Sequence, residues 1–404
     1  MHKDIITYSL GFVKWYTEIM IKRNIKLLAW FNFFTDFKLY GPLAIIYFSQ
    51  VTGSYALGTS IFSVVMLSSA LFEVPTGILS DFLGRKKTLA LGAFSMAIAF
   101  FFYAGAFSYL FLLAGAIMEG LSRSLYSGNN EALLHDSLKQ VGWEGRYHHF
   151  LGKVTSFLHV ALAISALLGG IVAQFNFALV FWLSVIPQII CFVLSLQIIE
   201  PKIHVKDQSG NVYKHLKESI VLFFKNPKLR MVSLSSILAY GMGEASYQFR
   251  GAFFITIWPI WAIGVAGMLS QLGAAVGFYF SGKVIDKFGA FKSLLWGSIY
   301  NRLADFVSLI FVSPLSPVVM STTSLHYGVS NVAKSSLMQK EFTDHQRATM
   351  GSLNSFAGSI FFAIIAFALG LLADKLNPVQ ALILLEILMM VNVYIYWKLF
   401  KSPS

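Results

Sequence analysis

Long apolar runs separated by short polar segments form the main pattern of this chain. Each run holds roughly 20 residues, the length that an α-helix needs to cross about 30 Å of hydrocarbon. The pattern therefore predicts an all-α polytopic membrane protein with twelve spans, near residues 27–49, 57–80, 88–108, 110–133, 149–174, 177–199, 231–258, 261–282, 293–312, 317–337, 349–374 and 379–397. Residues 1–26 are predicted to form an amphipathic lead-in on the cytoplasmic surface.

Composition and charge agree with a membrane protein. Of 404 residues, 56% are hydrophobic and 12% are charged, whereas soluble domains carry about twice that share of charge. The cations lie in alternate loops, with Arg85, Lys86 and Lys87 after the second span, while the opposite loops hold Lys375 alone. This bias places both termini in the cytoplasm and the protein in the cell's inner (plasma) membrane. It also explains the net charge of +12 without nucleic acid as a partner.

A polar motif at residues 77–89 recurs in weaker form at residues 282–294. Its glycines and its aspartate keep one offset of 205 residues (282 − 77), so that Gly77, Asp81 and Gly84 align with Gly282, Asp286 and Gly289. An offset of about half the chain indicates an internal duplication.

The stretch Gly-Ile-Leu-Ser-Asp-Phe-Leu-Gly-Arg-Lys-Lys-Thr-Leu at residues 77–89 resembles the loop between the second and third helices of the major facilitator superfamily. The resemblance implies two pseudo-symmetric six-helix bundles at residues 27–199 and 231–404, joined by a cytoplasmic linker at 200–230. It also implies a cytoplasmic clamp in which Asp81 contacts Arg85 and the start of the eleventh helix. The predicted gating residues are Glu73, Gly77, Asp81, Gly84, Arg85 and Asp286.

Charged residues inside the spans are candidates for function because a charge near the bilayer centre costs at least a few kcal/mol. In the first span, Asn32, Asp36 and Tyr40 are predicted to share a helix face that lines a cavity, while Lys38 pairs with another helix. Glu119 and Arg123 can pair within one helix, as can Arg302 and Asp305. The candidate substrate and proton residues are Asn32, Asp36, Tyr40, Glu119, Arg123, Glu244, Arg250, Arg302, Asp305, His326 and Glu386.

Asp36 is the first choice for carrying a coupling proton, because it precedes the flexible Gly41-Pro42 step, and Glu244 holds a similar place in the second half. Lone membrane carboxylates and the absence of a phosphate-binding loop for ATP indicate a proton-coupled secondary transporter. Intramembrane cations favour an anionic or zwitterionic organic solute. The protein is predicted to act as a symporter or antiporter and to be a monomer. No enzymatic motif, metal site or cofactor is predicted, and the expected partners are a small-molecule substrate, protons and the lipid bilayer.

Two alternatives stay open. The first is a multidrug or hydrophobic-cation efflux antiporter, because Gly169-Gly170 in the fifth span matches part of a stretch found in drug antiporters, although its Gly-Pro pair is absent. The second is a membrane receptor or lipid scramblase that transports no solute.

Overall fold

A computed structural model describes residues 23–140, 142–143, 147–200, 227–341 and 344–401. Most of the predicted lead-in and of the predicted linker lies outside these residues, as does the side chain of Asp81. The described residues form helices and no strands, as the apolar pattern predicts.

Among the described residues, the first bundle contains eight helices. They are α1 (residues 23–35), α2 (Ala44–Thr52), α3 (Tyr55–Leu83), α4 (Arg85–Ala104), α5 (Tyr109–Tyr126), α6 (Asn129–Lys139), α7 (Tyr147–Ala173) and α8 (Phe177–Gln197). A short 3-10 turn, Gly41–Leu43, precedes α2. The first span is therefore α1 and α2 together, and the fourth is α5 and α6, which meet at Gly128 with a positive φ of 69°.

The second bundle contains seven helices within residues 227–341 and 344–401. They are α9 (Pro227–Phe254), α10 (Ile260–Phe288), α11 (Ala290–Ile310), α12 (Ser316–Thr322), α13 (Ser324–Glu341), α14 (Asp344–Lys375) and α15 (Pro378–Lys401). The tenth span is divided into α12 and α13, whereas the seventh, α9, is one unbroken helix.

Within the described residues, six helices are long and apolar enough to cross a membrane by themselves, and they lie in α3, α4, α8, α10, α14 and α15. The fifth span, in α7, is described by this measure as a shorter apolar helix, Phe157–Ala173, and the remaining spans are divided or contain buried charges such as Glu119 in α5 and Asp305 in α11. Such helices are stable in a bilayer only when neighbouring helices cover their polar groups. The arrangement is the expected twelve-helix membrane fold.

The two bundles meet where α3 packs on α14 and where α7 packs on α10. Glycines allow the close approach: a Cβ on Gly170 would lie 2.5 Å from the carbonyl oxygen of Trp261, and one on Gly370 would lie 2.6 Å from that of Tyr55. Backbones that approach this closely need small residues at the crossing. These crossings close the protein at one membrane face.

An aspartate completes this closure. The carboxylate of Asp374, at the end of α14, accepts hydrogen bonds from Ser54 Oγ (2.5 Å) and from the backbone N–H groups of Tyr55 (2.7 Å) and Ala56 (3.0 Å) at the start of α3. It thereby caps a helix of the opposite bundle. We call this side the Asp374 face.

The opposite membrane side carries the motif arginine and is called the Arg85 face. The guanidinium of Arg85 pairs with Asp136 of α6, and the Glu200 carboxylate accepts the backbone N–H groups of Arg85 (2.9 Å) and Lys86 (2.8 Å). Gly84 has a φ of +84°, which lets the chain turn sharply between α3 and α4. The described partners of Arg85, Asp136 and Glu200, both precede the second bundle, so the predicted clamp across the bundles stays a prediction.

Candidate functional site: a polar chamber between the bundles

Two neighbouring cavities occupy the centre of the molecule and share Leu162, Tyr247 and Gln271 as lining residues. The small cavity has a volume of about 150 Å³ and the larger one, here called the chamber, about 660 Å³. Ser236 near the start of α9 and Gly351 near the start of α14 line the chamber. Because both helices begin at the Arg85 face, the chamber extends from mid-membrane towards that face.

Glu119 is the most completely bonded charge of the small cavity. Its buried carboxylate accepts hydrogen bonds from the hydroxyls of Tyr40 (2.9 Å) and Tyr103 (3.0 Å), and it pairs with Arg123 at 2.9 Å. The predicted pair within one helix therefore forms. Each carboxylate oxygen has at least one donor, which compensates its removal from water.

The first span differs from its predicted geometry. Helix α1 ends at residue 35, so Asn32, Asp36 and Tyr40 do not follow one continuous helix face. Asp36 and Lys38 lie in the break, and their side chains pair with each other at 3.8 Å. The prediction that Lys38 pairs with a residue of another helix is therefore wrong. Asp36 and Tyr40 still line the small cavity, whereas Asn32 is not among its lining residues. The Asn32 side chain instead accepts a hydrogen bond from Asn130 (3.1 Å).

A closed charge cluster joins α9, α11 and α15 within the second bundle. Arg250 pairs with Asp305 at 3.0 Å, Arg302 approaches the other Asp305 oxygen at 3.6 Å, and Arg302 also pairs with Glu386. Arg250 further donates to the carbonyl oxygen of Met320 (2.9 Å). Two cations and two fully buried carboxylates therefore cancel one another. Glu386 is the lone charge in its predicted span, and it finds its partner, Arg302, on another helix.

Glu244 and Lys334 differ from these pairs. Among the charged side chains that line the two cavities in the described part of the chain, only these two have no opposite charge within 4.0 Å. Glu244 accepts a hydrogen bond from Gln248 (2.7 Å), and Lys334 lies on α13. Lys334 is absent from the predicted site, although a lysine three residues before the end of the predicted tenth span (317–337) is a charge within a span and could have been found by that signal.

His326 also lines the chamber, where its Nδ1 lies 3.2 Å from the amide nitrogen of Asn301. The imidazole packs directly over Gly297, where any side chain would collide with it. Two predicted gating residues, Glu73 and Asp286, are exposed and are not lining residues of either cavity. No cluster of three metal-binding side chains occurs among the described residues.

Comparisons with known proteins relate this chain to a family of membrane transporters. The family model described as Major Facilitator Superfamily matches residues 27–366. The uncharacterised transporter YxaM of Bacillus subtilis is 22% identical over 362 residues, covering 83% of this chain and 87% of its own. The multidrug resistance protein MdtG of Citrobacter koseri is 27% identical over 318 residues, covering 73% and 72%.

Solved structures share the fold at low identity. The nucleoside transporter NupG has a TM-score of 0.73 at 14% identity, covering 94% of this chain and all of its own. A bacterial homologue of the lysosomal transporter Spinster, in an inward-facing and unoccupied conformation, has a TM-score of 0.75 at 15% identity, covering 96% and 99%. On the family match, the chain belongs to the Major Facilitator Superfamily of membrane transporters.

Proposed function

We propose that this protein is a proton-coupled secondary transporter that moves a small anionic or zwitterionic organic solute across the inner membrane by alternating access. The observation that carries the proposal is the chamber at the centre of the molecule, which extends towards the Arg85 face and away from the crossings at Gly170 and Gly370. With the Arg85 face in the cytoplasm, as the loop cations predict, the chamber receives solute from the cytoplasm in this conformation.

Alternating access then requires the Asp374 face to open and the Arg85 face to close. Opening breaks the three hydrogen bonds that Asp374 accepts from the start of α3 and separates Gly170 from α10. Closing brings the start of α14 towards the loop that contains Arg85. Binding sites near mid-membrane between two repeats are suited to this motion, because a small rocking of the repeats exposes the site to either side.

The cavities divide the five candidate proton carriers into three groups. Asp36 and Glu244 line the cavities and each has few bonding partners, so either can exchange protons with water there. Glu119 lines the small cavity but is held by three partners. Asp305 and Glu386 are fully buried and belong to the charge cluster. We therefore assign proton coupling first to Asp36 and then to Glu244.

The second candidate function is efflux of hydrophobic cations, which the similarity to MdtG and the cation-free Glu244 favour. Such a cation requires apolar and aromatic contact around the acid. The chamber offers aromatic contact through four tyrosines, but most of its lining residues carry hydroxyl or amide groups, and this composition places efflux second.

Proteoliposomes containing a pH-sensitive dye test the proposal. Organic anions and zwitterions are added one at a time, and a transported solute should change the internal pH only when the protein is present. For that solute, Asp36→Asn or Glu244→Gln should abolish accumulation driven by a pH gradient, and Asp36→Asn should leave exchange at equal concentrations intact. Glu131→Gln, at an exposed acid, is the control. Normal proton-driven accumulation in Asp36→Asn, Glu119→Gln, Glu244→Gln, Asp305→Asn and Glu386→Gln would refute coupling through these carboxylates.

A further inference from the structure

In the described part of the chain, one carboxylate and one ammonium group that line the chamber have no ion-pair partner. The other charges that line the cavities, Asp36 with Lys38, Glu119 with Arg123, and the two arginines of the charge cluster, all have ion-pair partners. Glu244 and Lys334 are half-buried and lie on different helices, α9 and α13. A charge without a partner in the membrane interior costs free energy, and a bound ligand or water that contacts the charge reduces this cost.

Most of the residues that line the chamber beside these two charges carry neutral hydroxyl or amide groups. Serine contributes eight lining residues, asparagine four and tyrosine four, while leucine and methionine together contribute three. Hydroxyl and amide groups donate and accept hydrogen bonds without favouring either charge. This lining suits a solute whose body carries hydroxyl or amide groups, because each group that leaves water needs a replacement partner.

Some polar atoms of the chamber have no protein partner. Among the buried side-chain atoms of the described residues, Asn301 Oδ1, Asn392 Oδ1 and the Tyr396 hydroxyl have none, and all three residues line the chamber. Asn392 and Tyr396 are more than nine-tenths buried. A buried polar atom without a partner costs about 1–3 kcal/mol, and these three atoms are closed to a solute in the chamber in this conformation.

Resting on the transport function proposed above, we propose that the chamber binds a zwitterionic solute rich in hydroxyl or amide groups. Glu244 holds the ammonium group of the solute, Lys334 holds its anionic group, and the neutral lining contacts the body between them. The volume of about 660 Å³ falls within the range of about 300–1,000 Å³ that small-molecule sites occupy, which allows a solute as large as a short peptide or an amino sugar acid.

Two matched series of probes test this assignment by thermal stabilisation of the purified protein. The first is tri-serine, its N-acetyl form, which is an anion, and its C-terminal amide, which is a cation. The second is glucosaminic acid with N-acetylglucosaminic acid and glucosamine. In at least one series, the zwitterion should bind wild-type protein at least tenfold more tightly than both singly charged relatives. Equal or weaker binding of the zwitterion in both series would overturn the proposal.

Variants then assign each charge. Glu244→Gln should remove the preference over the N-acetyl form and keep the preference over the cation, and Lys334→Gln should do the reverse. Lys287→Gln, at an exposed lysine, should change neither preference. If both preferences survive in Glu244→Gln and Lys334→Gln, the assigned residues are wrong. Solute-dependent flux of a compound that is not a zwitterion would refute this inference and leave transport itself supported.

Discussion

Removing the Asp374 carboxylate should loosen the closure of the Asp374 face. At the N-terminus of α3, Ser54, Tyr55 and Ala56 donate three hydrogen bonds to the Asp374 carboxylate of the opposite bundle, and Asp374→Ala removes all three. Asp374 acts as a helix N-cap supplied by another helix, and replacing an N-cap by alanine costs about 0.5–2 kcal/mol, with about 1 kcal/mol typical. The side chain is exposed, so water replaces part of what is lost and the typical value is the better guide.

This free energy stabilises only the conformation in which the bundles touch at that face. About 1 kcal/mol should therefore raise the ratio of open to closed molecules about fivefold, and 2 kcal/mol would raise it about thirtyfold. Thr59, which is 2% exposed and packs against Gly370, reports opening when it is replaced by cysteine. Cys191 is the sole native cysteine and is fully buried, so it contributes little background labelling.

The assay is the rate at which a water-soluble maleimide labels Thr59→Cys in detergent. The rate should rise about fivefold when Asp374→Ala is added, because labelling follows the population of the open conformation. Lys375→Ala, one residue further along, removes a charge without removing a contact to α3 and should leave the rate unchanged. An unchanged rate in Asp374→Ala, or an equal rise in Lys375→Ala, would refute the inference that Asp374 holds this face closed.

Three further substitutions test the packing and the charges. Arg302→Met should lower stability by about 3–5 kcal/mol, measured by thermal unfolding, because Glu386 loses its partner while buried; adding Glu386→Met should restore most of the loss. Tyr40→Phe should cost about 1 kcal/mol in the same assay, since Glu119 keeps two of its three donors. Gly264→Val should speed labelling of Thr59→Cys, because even a Cβ would lie 2.5 Å from the carbonyl oxygen of Ala166; an unchanged rate would show that α7 and α10 do not control opening.

The helices were predictable because each apolar run must match the bilayer. The predicted second span, 57–80, lies within α3. The polar motif at residues 77–89 resembles a loop between two helices, and the structure has a sharp turn within it, at Gly84. The pair of Glu119 and Arg123 was also visible, because residues four apart meet on one helix. These features depend on local spacing alone.

The contacts between helices could not be predicted in the same way. Arg250 and Asp305 are 55 residues apart and Arg302 and Glu386 are 84 apart, and no local pattern connects such positions. The break in the first span was expected beyond Tyr40, at Gly41-Pro42, yet α1 already ends at residue 35. The Asp36–Lys38 pair stabilises that interruption, and a helical spacing rule cannot anticipate it.

The interrupted first span has a consequence for how the protein enters the membrane. At 1.5 Å per residue, the described part of α1 (residues 23–35) extends about 20 Å and the nine residues of α2 about 14 Å, so within the described residues neither segment alone crosses about 30 Å of hydrocarbon. The first span is also absent from the six described helices that qualify for insertion by themselves, whereas α3 is present. During synthesis, we therefore expect the first span to wait at the translocon and to insert as a hairpin with α3.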